Sequence, residues 1–122
     1  MNARDLLESF GDMLDRSALL ARETAMCKRH IQKDAFNADY WHNKAKRNLA
    51  ERKRLQTQLE RRQKQLNYLL SSLPDEAQRQ VLALRYISLM SYAQISETLH
   101  FSVRHIYRLH LKGVKALDAL MS

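Results

Sequence analysis

Glycine and proline, the residues that turn a chain most sharply, are scarce in this sequence. Its 122 residues include two glycines and one proline, whereas average usage would give roughly eight and six in a chain this long. Sheets joined by tight hairpins need such residues at their turns, and long helices exclude them. The chain is therefore predicted to be all-α, with long helices and few connections.

The charge of the chain is positive overall and unevenly placed. The formal net charge is +8. Acidic and basic side chains balance in residues 1–36, whereas basic ones exceed acidic ones by six in residues 37–73 and by two in residues 74–122. Such a balance indicates a polyanionic partner, although where the charges lie matters more than their total.

The sequence has no feature that indicates export or membrane insertion. No stretch approaches the ~20 consecutive apolar residues that span a bilayer, and the first residues lack an apolar run of signal-peptide length. The single cysteine, Cys27, cannot form an intramolecular disulfide. We therefore expect a soluble, cytoplasmic protein without a membrane partner.

The first 36 residues fit one amphipathic helix. Apolar residues recur at close to helical spacing between Leu6 and Ile31. Another face carries an acidic stripe, which could imitate a nucleic-acid backbone but is more often solvated or paired with basic neighbours. The stripe consists of Asp5, Glu8, Asp12 and Asp15.

Residues 37–73 contain no glycine or proline and predict a second helix, about 35 residues long. A heptad pattern places apolar residues at six of nine core positions, which indicates packing against another helix. That helix is either the first one, in a hairpin, or the same helix of a second copy in a coiled coil. We expect the hairpin, with a dimer contact added. The nine positions are Ala45, Asn48, Arg52, Leu55, Leu59, Arg62, Leu66, Leu69 and Leu73.

A basic run from Lys44 to Lys64 lies on this second helix. It either keeps a long exposed helix soluble and matches the acidic stripe, as we expect, or it follows phosphates. Near the start of the helix, Tyr40 and Trp41 could stack on bases, but packing in the hairpin is the more common role for such residues.

The single proline, Pro74, ends the helical arm, because proline cannot continue a helix and disfavours α geometry in the residue before it. A new helix starts there, with Asp75 and Glu76 at the positive end of its dipole. We therefore predict two domains: a helical hairpin arm in residues 1–72, available for dimerisation, and a second domain in residues 73–122.

The second domain has the layout of a helix-turn-helix. Helical stretches cover residues 75–88, 92–99 and 102–120, and the middle one is only about two turns long, so it must be held by its neighbours. The turn is His100-Phe101-Ser102, and Ser102 is suited to cap the third helix.

Two stripes on the third helix have opposite character. One is apolar and faces the core, where Gly113 permits a close approach of another helix. The other is cationic, and no acidic residue occurs between Ser102 and Ala116. Arginine can form bidentate hydrogen bonds with guanine and lysine can neutralise phosphates, so this side is suited to the major groove of DNA. The core stripe consists of Ile106, His110, Gly113 and Leu117, and the cationic one of Arg104, Arg108, Lys112 and Lys115, with Tyr107 beside it.

A family resemblance covers about residues 73–117, LPDEAQRQVLALRYISLMSYAQISETLHFSVRHIYRLHLKGVKAL. This stretch resembles region 4 of bacterial sigma factors, which reads promoter DNA with a helix-turn-helix. The closer likeness is to small phage-encoded regulators of the ArpU/RinA type, in which a helical arm precedes such a domain and SVRHIYRLH resembles the recognition-helix signature. The resemblance implies DNA contacts from Ser102, Arg104, His105, Tyr107, Arg108 and Lys112, to which the cationic stripe adds Lys115.

Two positions depart from the family pattern. Leu89 stands where these domains often end a helix with glycine, and His100 stands where the turn often has glycine. If either residue has a positive φ, it carries some backbone strain, because only glycine adopts that conformation without a steric cost.

The function expected from these features is sequence-specific regulation of transcription, in phage late genes and in the cytoplasm of a bacterial host. A homodimer would bind double-stranded DNA with Arg104, Tyr107 and Arg108 at base edges, and the resemblance also implies contact with RNA polymerase. The alternative is a phage-encoded protein-interaction module that binds host RNA polymerase or another host nucleoprotein through the arm. RNA binding is less favoured, because single-strand readers rely on exposed aromatic platforms.

Metal, cofactor and enzyme sites are not expected. Cys27 and His30 have a C-x-x-H spacing, but a structural zinc site needs four ligands, and His105 and His110 point to different sides of their helix. We expect a buried, hydrogen-bonded His110 and a surface Cys27 instead. The sequence also lacks a phosphate-binding loop and a nucleophile elbow, so we expect no catalysis and no small-molecule substrate.

Overall fold

The computed structural model describes residues 2–122, and almost all of them are helical. The described chain contains no strand, so the all-α prediction is confirmed. The second helix ends before Pro74 as predicted, whereas the first and third end at Lys33 and Tyr86, two or three residues earlier than expected, and a 3-10 turn joins the two long helices. The elements are α1 (Ala3–Lys33), the 3-10 turn (Ala35–Asn37), α2 (Ala38–Ser71), α3 (Glu76–Tyr86), α4 (Tyr92–Leu99) and α5 (Val103–Met121).

Side-chain caps fix the starts of the three short helices. The Asp75 carboxylate accepts a hydrogen bond of 3.0 Å from the backbone N–H of Gln78. The Ser102 hydroxyl accepts one of 3.1 Å from the backbone N–H of His105, as predicted. At α4, Ser91 and Gln94 form a capping box, in which each side chain accepts from the other residue's backbone N–H. Each cap satisfies donors that the first turn of a helix leaves without a partner.

The chain divides into two compact units. The terminal unit combines the chain up to Gly11 with Arg62–Ser122, and the hairpin unit is Asp12–Arg61. The terminal unit includes residues from both sides of position 72, so the division into 1–72 and 73–122 stays a prediction.

In the terminal unit, the three short helices enclose an apolar core. Val81, Ile95, Ile106 and Leu109 form its centre. The first turns of α1 and the end of α2 belong to the same unit, and most of their large apolar side chains are buried as well. The backbone N–H of Ala3 donates to the Asp118 carboxylate at 2.6 Å, so a side chain near the end of α5 caps the start of α1. The buried side chains are Leu6, Leu7 and Phe10 in α1, Leu66 and Leu70 in α2, and Leu73 just after α2.

In the hairpin unit, α1 and α2 pack side by side in opposite directions, as expected for a hairpin. Arg16 pairs with Glu51 near one end, and the rings of His30 and Trp41 stack at the other, with 4.2 Å between their centroids. Trp41 therefore packs within the hairpin, which is the role that the sequence analysis favoured over stacking on bases. The buried heptad positions here are Asn48, Leu55 and Leu59.

The expectation of a surface Cys27 is wrong. Its thiol is fully buried between the helices of the hairpin unit. The physical reason is register: Cys27 follows the buried Leu20 by seven residues and lies on the same inward stripe of α1. A free cysteine in such a place packs as a small apolar side chain. The acidic stripe of α1, in contrast, is solvent-exposed along its whole length.

The two glycines lie in helices, but their surroundings differ. A Cβ atom added to Gly113 would lie 2.9 Å from the Cδ1 atom of the buried Leu82 on α3, which is too close. A Cβ atom added to Gly11 would lie 3.5 Å from Leu89, an ordinary contact. Gly113 therefore allows α5 to approach α3, as the sequence predicted, whereas Gly11 serves no such purpose.

We predict opposite effects of alanine at these two positions. Gly11→Ala should stabilise the fold by about 0.5–1 kcal/mol, because alanine favours a helix over glycine. Gly113→Ala should destabilise it by about 1–2 kcal/mol net, because the crowding at Leu82 outweighs that gain. Chemical denaturation of both variants checks this, and equal stabilisation by both would contradict the close packing of α3 and α5.

Candidate nucleic-acid interface

A short helix, a tight turn and a longer helix form the exposed part of the terminal unit. The eight-residue α4 is held by Ile95, whose side chain is buried next to Ile106 of α5. Across the turn, the Ser96 hydroxyl donates a hydrogen bond to the backbone carbonyl of Phe101. A two-turn helix has little stability alone, so these contacts and its capping box maintain the geometry of the turn.

Two residues around α4 have left-handed backbone conformations. The φ angle is 56° at Leu89 and 59° at His100, the two positions at which the resemblance implied glycine. The positive φ considered from the sequence is thus found at both positions. Each residue carries a steric cost that glycine would avoid.

The two sides of α5 separate buried from exposed residues, as the sequence predicted. The core stripe is buried, and Leu109 joins it as a residue that sequence reasoning missed. Its signal was present, because Leu109 follows Ile106 by three residues and so lies on the same helix face. The predicted DNA-contact residues are all exposed: Ser102, Arg104, His105, Tyr107, Arg108, Lys112 and Lys115.

Aromatic contacts orient the exposed side of α5. The Tyr107 ring is half exposed and meets the edge of Tyr92 at a centroid distance of 6.0 Å. Tyr92 in turn lies under the Arg85 guanidinium, which is 4.4 Å from the ring centroid. Arg85 also donates to the backbone carbonyl of Met90 at 3.0 Å. Sequence reasoning did not find this chain of contacts, because it joins α3, α4 and α5 through tertiary packing.

His110 lies in the core, where it is 2% exposed. Its Nε2 atom is hydrogen-bonded to the Tyr86 hydroxyl, as the expectation of a buried, bonded His110 requires. Burial lowers the pKa of His110, and the positive charges of Arg4 and Arg85 lower it further. Burial also raises the pKa of Tyr86. The pair is therefore neutral near pH 7, which suits a low-dielectric core.

A metal site is not formed by the residues that were considered for one. Cys27 is buried and His110 bonds to Tyr86, whereas His100 and His105 are exposed. In residues 2–122, no three histidine, cysteine, aspartate or glutamate side chains are grouped so that they could hold a metal ion. Within the same range, no helix combines the length and apolar character that crossing a membrane requires.

The supporting helix, the capped turn and the exposed cationic helix define a helix-turn-helix domain. The family described as Sigma-70, region 4 matches residues 63–117, a little under half of the chain. This part of the protein is therefore similar to sigma region 4 and has its helix-turn-helix fold, with α4 in the place of the supporting helix and α5 in the place of the recognition helix. Searches among curated proteins and among solved structures find no significant match to the chain.

We predict that glycine at position 100 stabilises the protein. His100→Gly should raise the free energy of unfolding by about 0.5–1 kcal/mol, because it removes the steric cost of the left-handed conformation but adds entropy to the unfolded chain. His100→Ala is the matched control and should give no gain, since it keeps a Cβ atom. The midpoint of chemical denaturation measures both, and a loss of stability in the glycine variant would contradict the geometry of the turn.

The buried His110 predicts a pH dependence of stability. Its pKa is lowered in the folded state from 6.5, so below about pH 6.5 the unfolded chain takes up a proton that the folded chain does not. This contribution to stability is fully present above pH 6.5 and decreases below it, by up to about 1.4 kcal/mol per pH unit until the folded-state pKa is reached.

Denaturation of the wild type and of His110→Gln between pH 5 and 8 tests this. The variant should be less stable than the wild type near pH 7, and its stability should fall less steeply between pH 6.5 and 5. Parallel curves for the two proteins would show that another group causes the dependence.

Proposed function

We propose that the protein is a sequence-specific transcription regulator whose α5 enters the major groove of double-stranded DNA. The observation that carries the proposal is the exposed side of α5, which is cationic and contains no acidic residue between Ser102 and Ala116. A merely solvated helix face normally mixes charges of both signs, whereas a face that approaches phosphates does not. The sigma region 4-like helix-turn-helix supports the same assignment.

Each exposed residue of α5 has a role that its chemistry suggests. Arg104 and Arg108 are one helical turn apart near the start of α5, where a recognition helix reaches base edges, and both can bond guanine through two donors. Tyr107 lies between them and is held by Tyr92. The remaining residues would position the helix through the DNA backbone: Ser102, His105, Lys112 and Lys115.

The finer parts of the proposal concern origin and assembly. A long helical arm before a region 4-like domain supports a regulator of the ArpU/RinA type, encoded by a phage and acting on its late genes. If the arm forms a homodimer, two copies of α5 would meet half-sites separated by about 34 Å or a multiple of it. If the protein also binds RNA polymerase, recruitment of the polymerase to the promoter would explain how the late genes are activated.

The experiment that tests the function is selection of bound fragments from random DNA across a range of salt concentrations. The wild type should recover one motif. Arg104→Ala and Arg108→Ala should each weaken its Kd about 5-fold or more, and the double variant Arg104→Ala/Arg108→Ala should weaken it further, because a good bidentate contact contributes about 1–3 kcal/mol of discrimination. Both residues are exposed, so circular dichroism should show unchanged folding.

The matched control removes the same charge from the exposed side of α2. Lys53→Ala/Arg61→Ala should recover the same motif as the wild type, with at most a smaller dependence on salt. If wild type and both double variants bind weakly, without a motif and with a steep salt dependence, α5 contacts DNA through charge alone. Capture of host RNA polymerase by the arm would then favour the interaction-module alternative.

A further inference from the structure

The connected end of the hairpin unit, residues 28–47 and called the tip below, exposes aromatic rings that the fold does not need. Phe36, in the 3-10 turn between α1 and α2, is 95% exposed, and Tyr40 in the first turn of α2 is 54% exposed. The turn is already closed without them, because the Asp34 carboxylate accepts hydrogen bonds from the backbone and side-chain N–H groups of Asn37 at 3.3 and 2.8 Å. A nearly fully exposed phenylalanine therefore calls for another explanation.

Beside the exposed rings, a small aromatic cluster gives the tip a defined geometry. The Trp41 ring is stacked on His30 on one side, and it meets the Tyr40 ring at 4.9 Å and 76° between planes. The Lys44 ammonium lies 5.7 Å from the centroid of Trp41. Tyr40 is thus held against Trp41, while about half of its surface remains open to solvent.

The tip is also strongly basic. Residues 28–47 contain six lysines and arginines but only two aspartates, and one of these, Asp34, bonds to Asn37. The basic residues lie on both helices within about three turns of the connection, which places them at the same end of the hairpin as the exposed rings. They are Lys28, Arg29, Lys33, Lys44, Lys46 and Arg47.

We propose that this tip binds single-stranded nucleic acid, with unpaired bases on Phe36 and Tyr40 and phosphates along the flanking lysines and arginines. Open aromatic rings within a cationic surface are the combination that single-strand binding uses. A duplex keeps its bases stacked and offers no faces to such rings, and an acidic peptide would satisfy the charges but leave the rings unused. This site is separate from the proposed action of α5 and does not depend on it.

The single tryptophan of the chain, Trp41, provides a direct probe at the tip. Its fluorescence is followed while 12-nucleotide oligo(dT) or oligo(U) is added to the full-length Arg104→Ala/Arg108→Ala protein, so that the proposed base contacts of α5 are absent. We expect saturable quenching, and the two oligonucleotides distinguish DNA from RNA as the source of the single strand. Unchanged Trp41 emission at saturating oligonucleotide would overturn the proposal.

Substitutions then test the two rings in the same background, with labelled oligonucleotide anisotropy as a second measurement. Phe36→Ala and Tyr40→Ala should each weaken the Kd about 5-fold or more. Phe36→Leu, which stays apolar but cannot stack, should weaken it as Phe36→Ala does. The matched control is Tyr68→Ala, since Tyr68 is 74% exposed on α2 but belongs to the terminal unit, and it should leave the Kd unchanged.

Charge supplies the last measurement. Lys33→Ala should reduce the slope of log K against log salt by about 0.7, the value for one contact with a single strand.

Full binding by Phe36→Leu, or an equal loss in Tyr68→Ala, would overturn base stacking. Phe36→Ala and Tyr40→Ala variants that keep oligonucleotide affinity but lose self-association, or lose binding to vesicles of anionic lipid, would overturn it in favour of a dimer or membrane contact.

Discussion

The packing of α5 against α3 determines which side chains of α5 face solvent. At the crossing, Gly113 leaves no space between its backbone and Leu82, so α5 can neither move outward without opening a cavity nor carry a larger residue there. Because side chains on a helix are fixed about 100° apart, burying Ile106, Gly113 and Leu117 sends Arg104, Arg108 and Lys112 outward. The cationic surface is thus a consequence of the core.

A polar pair inside that core adds specificity to the packing. An apolar stripe alone tolerates small rotations of a helix, whereas the hydrogen bond between Tyr86 and His110 requires one orientation of α5 relative to α3. The cost of rotating away is high, because a buried polar atom without a partner loses its solvation. The Tyr92 ring contacts both His110 and Tyr107, so the orientation set in the core reaches the surface ring.

Features controlled by near neighbours in sequence could be predicted, and features controlled by distant ones could not. The N-cap at Ser102, the end of the arm before Pro74 and the positive φ at His100 each depend on a few adjacent residues. The bond from Ala3 to Asp118 joins residues 115 apart, which no local pattern can reveal. Cys27 lies between these cases: its heptad relation to Leu20 was visible, but its small polarisable side chain gave no strong apolar signal.

The two candidate surfaces differ in the feature that separates duplex from single-strand recognition. On α5 the charged groups predominate and Tyr107 is packed against neighbouring rings, so the helix offers donors to base edges rather than open faces to bases. At the hairpin tip, in contrast, aromatic faces are open to solvent. Phe36 lies in the turn and Tyr40 in the first turn of α2, and the basic residues lie on the two flanking helices. Because a ring can stack only on a base that has left its own stack, the tip is suited to nucleic acid whose strands are apart. A protein with both surfaces could read a duplex at one and hold a separated strand at the other.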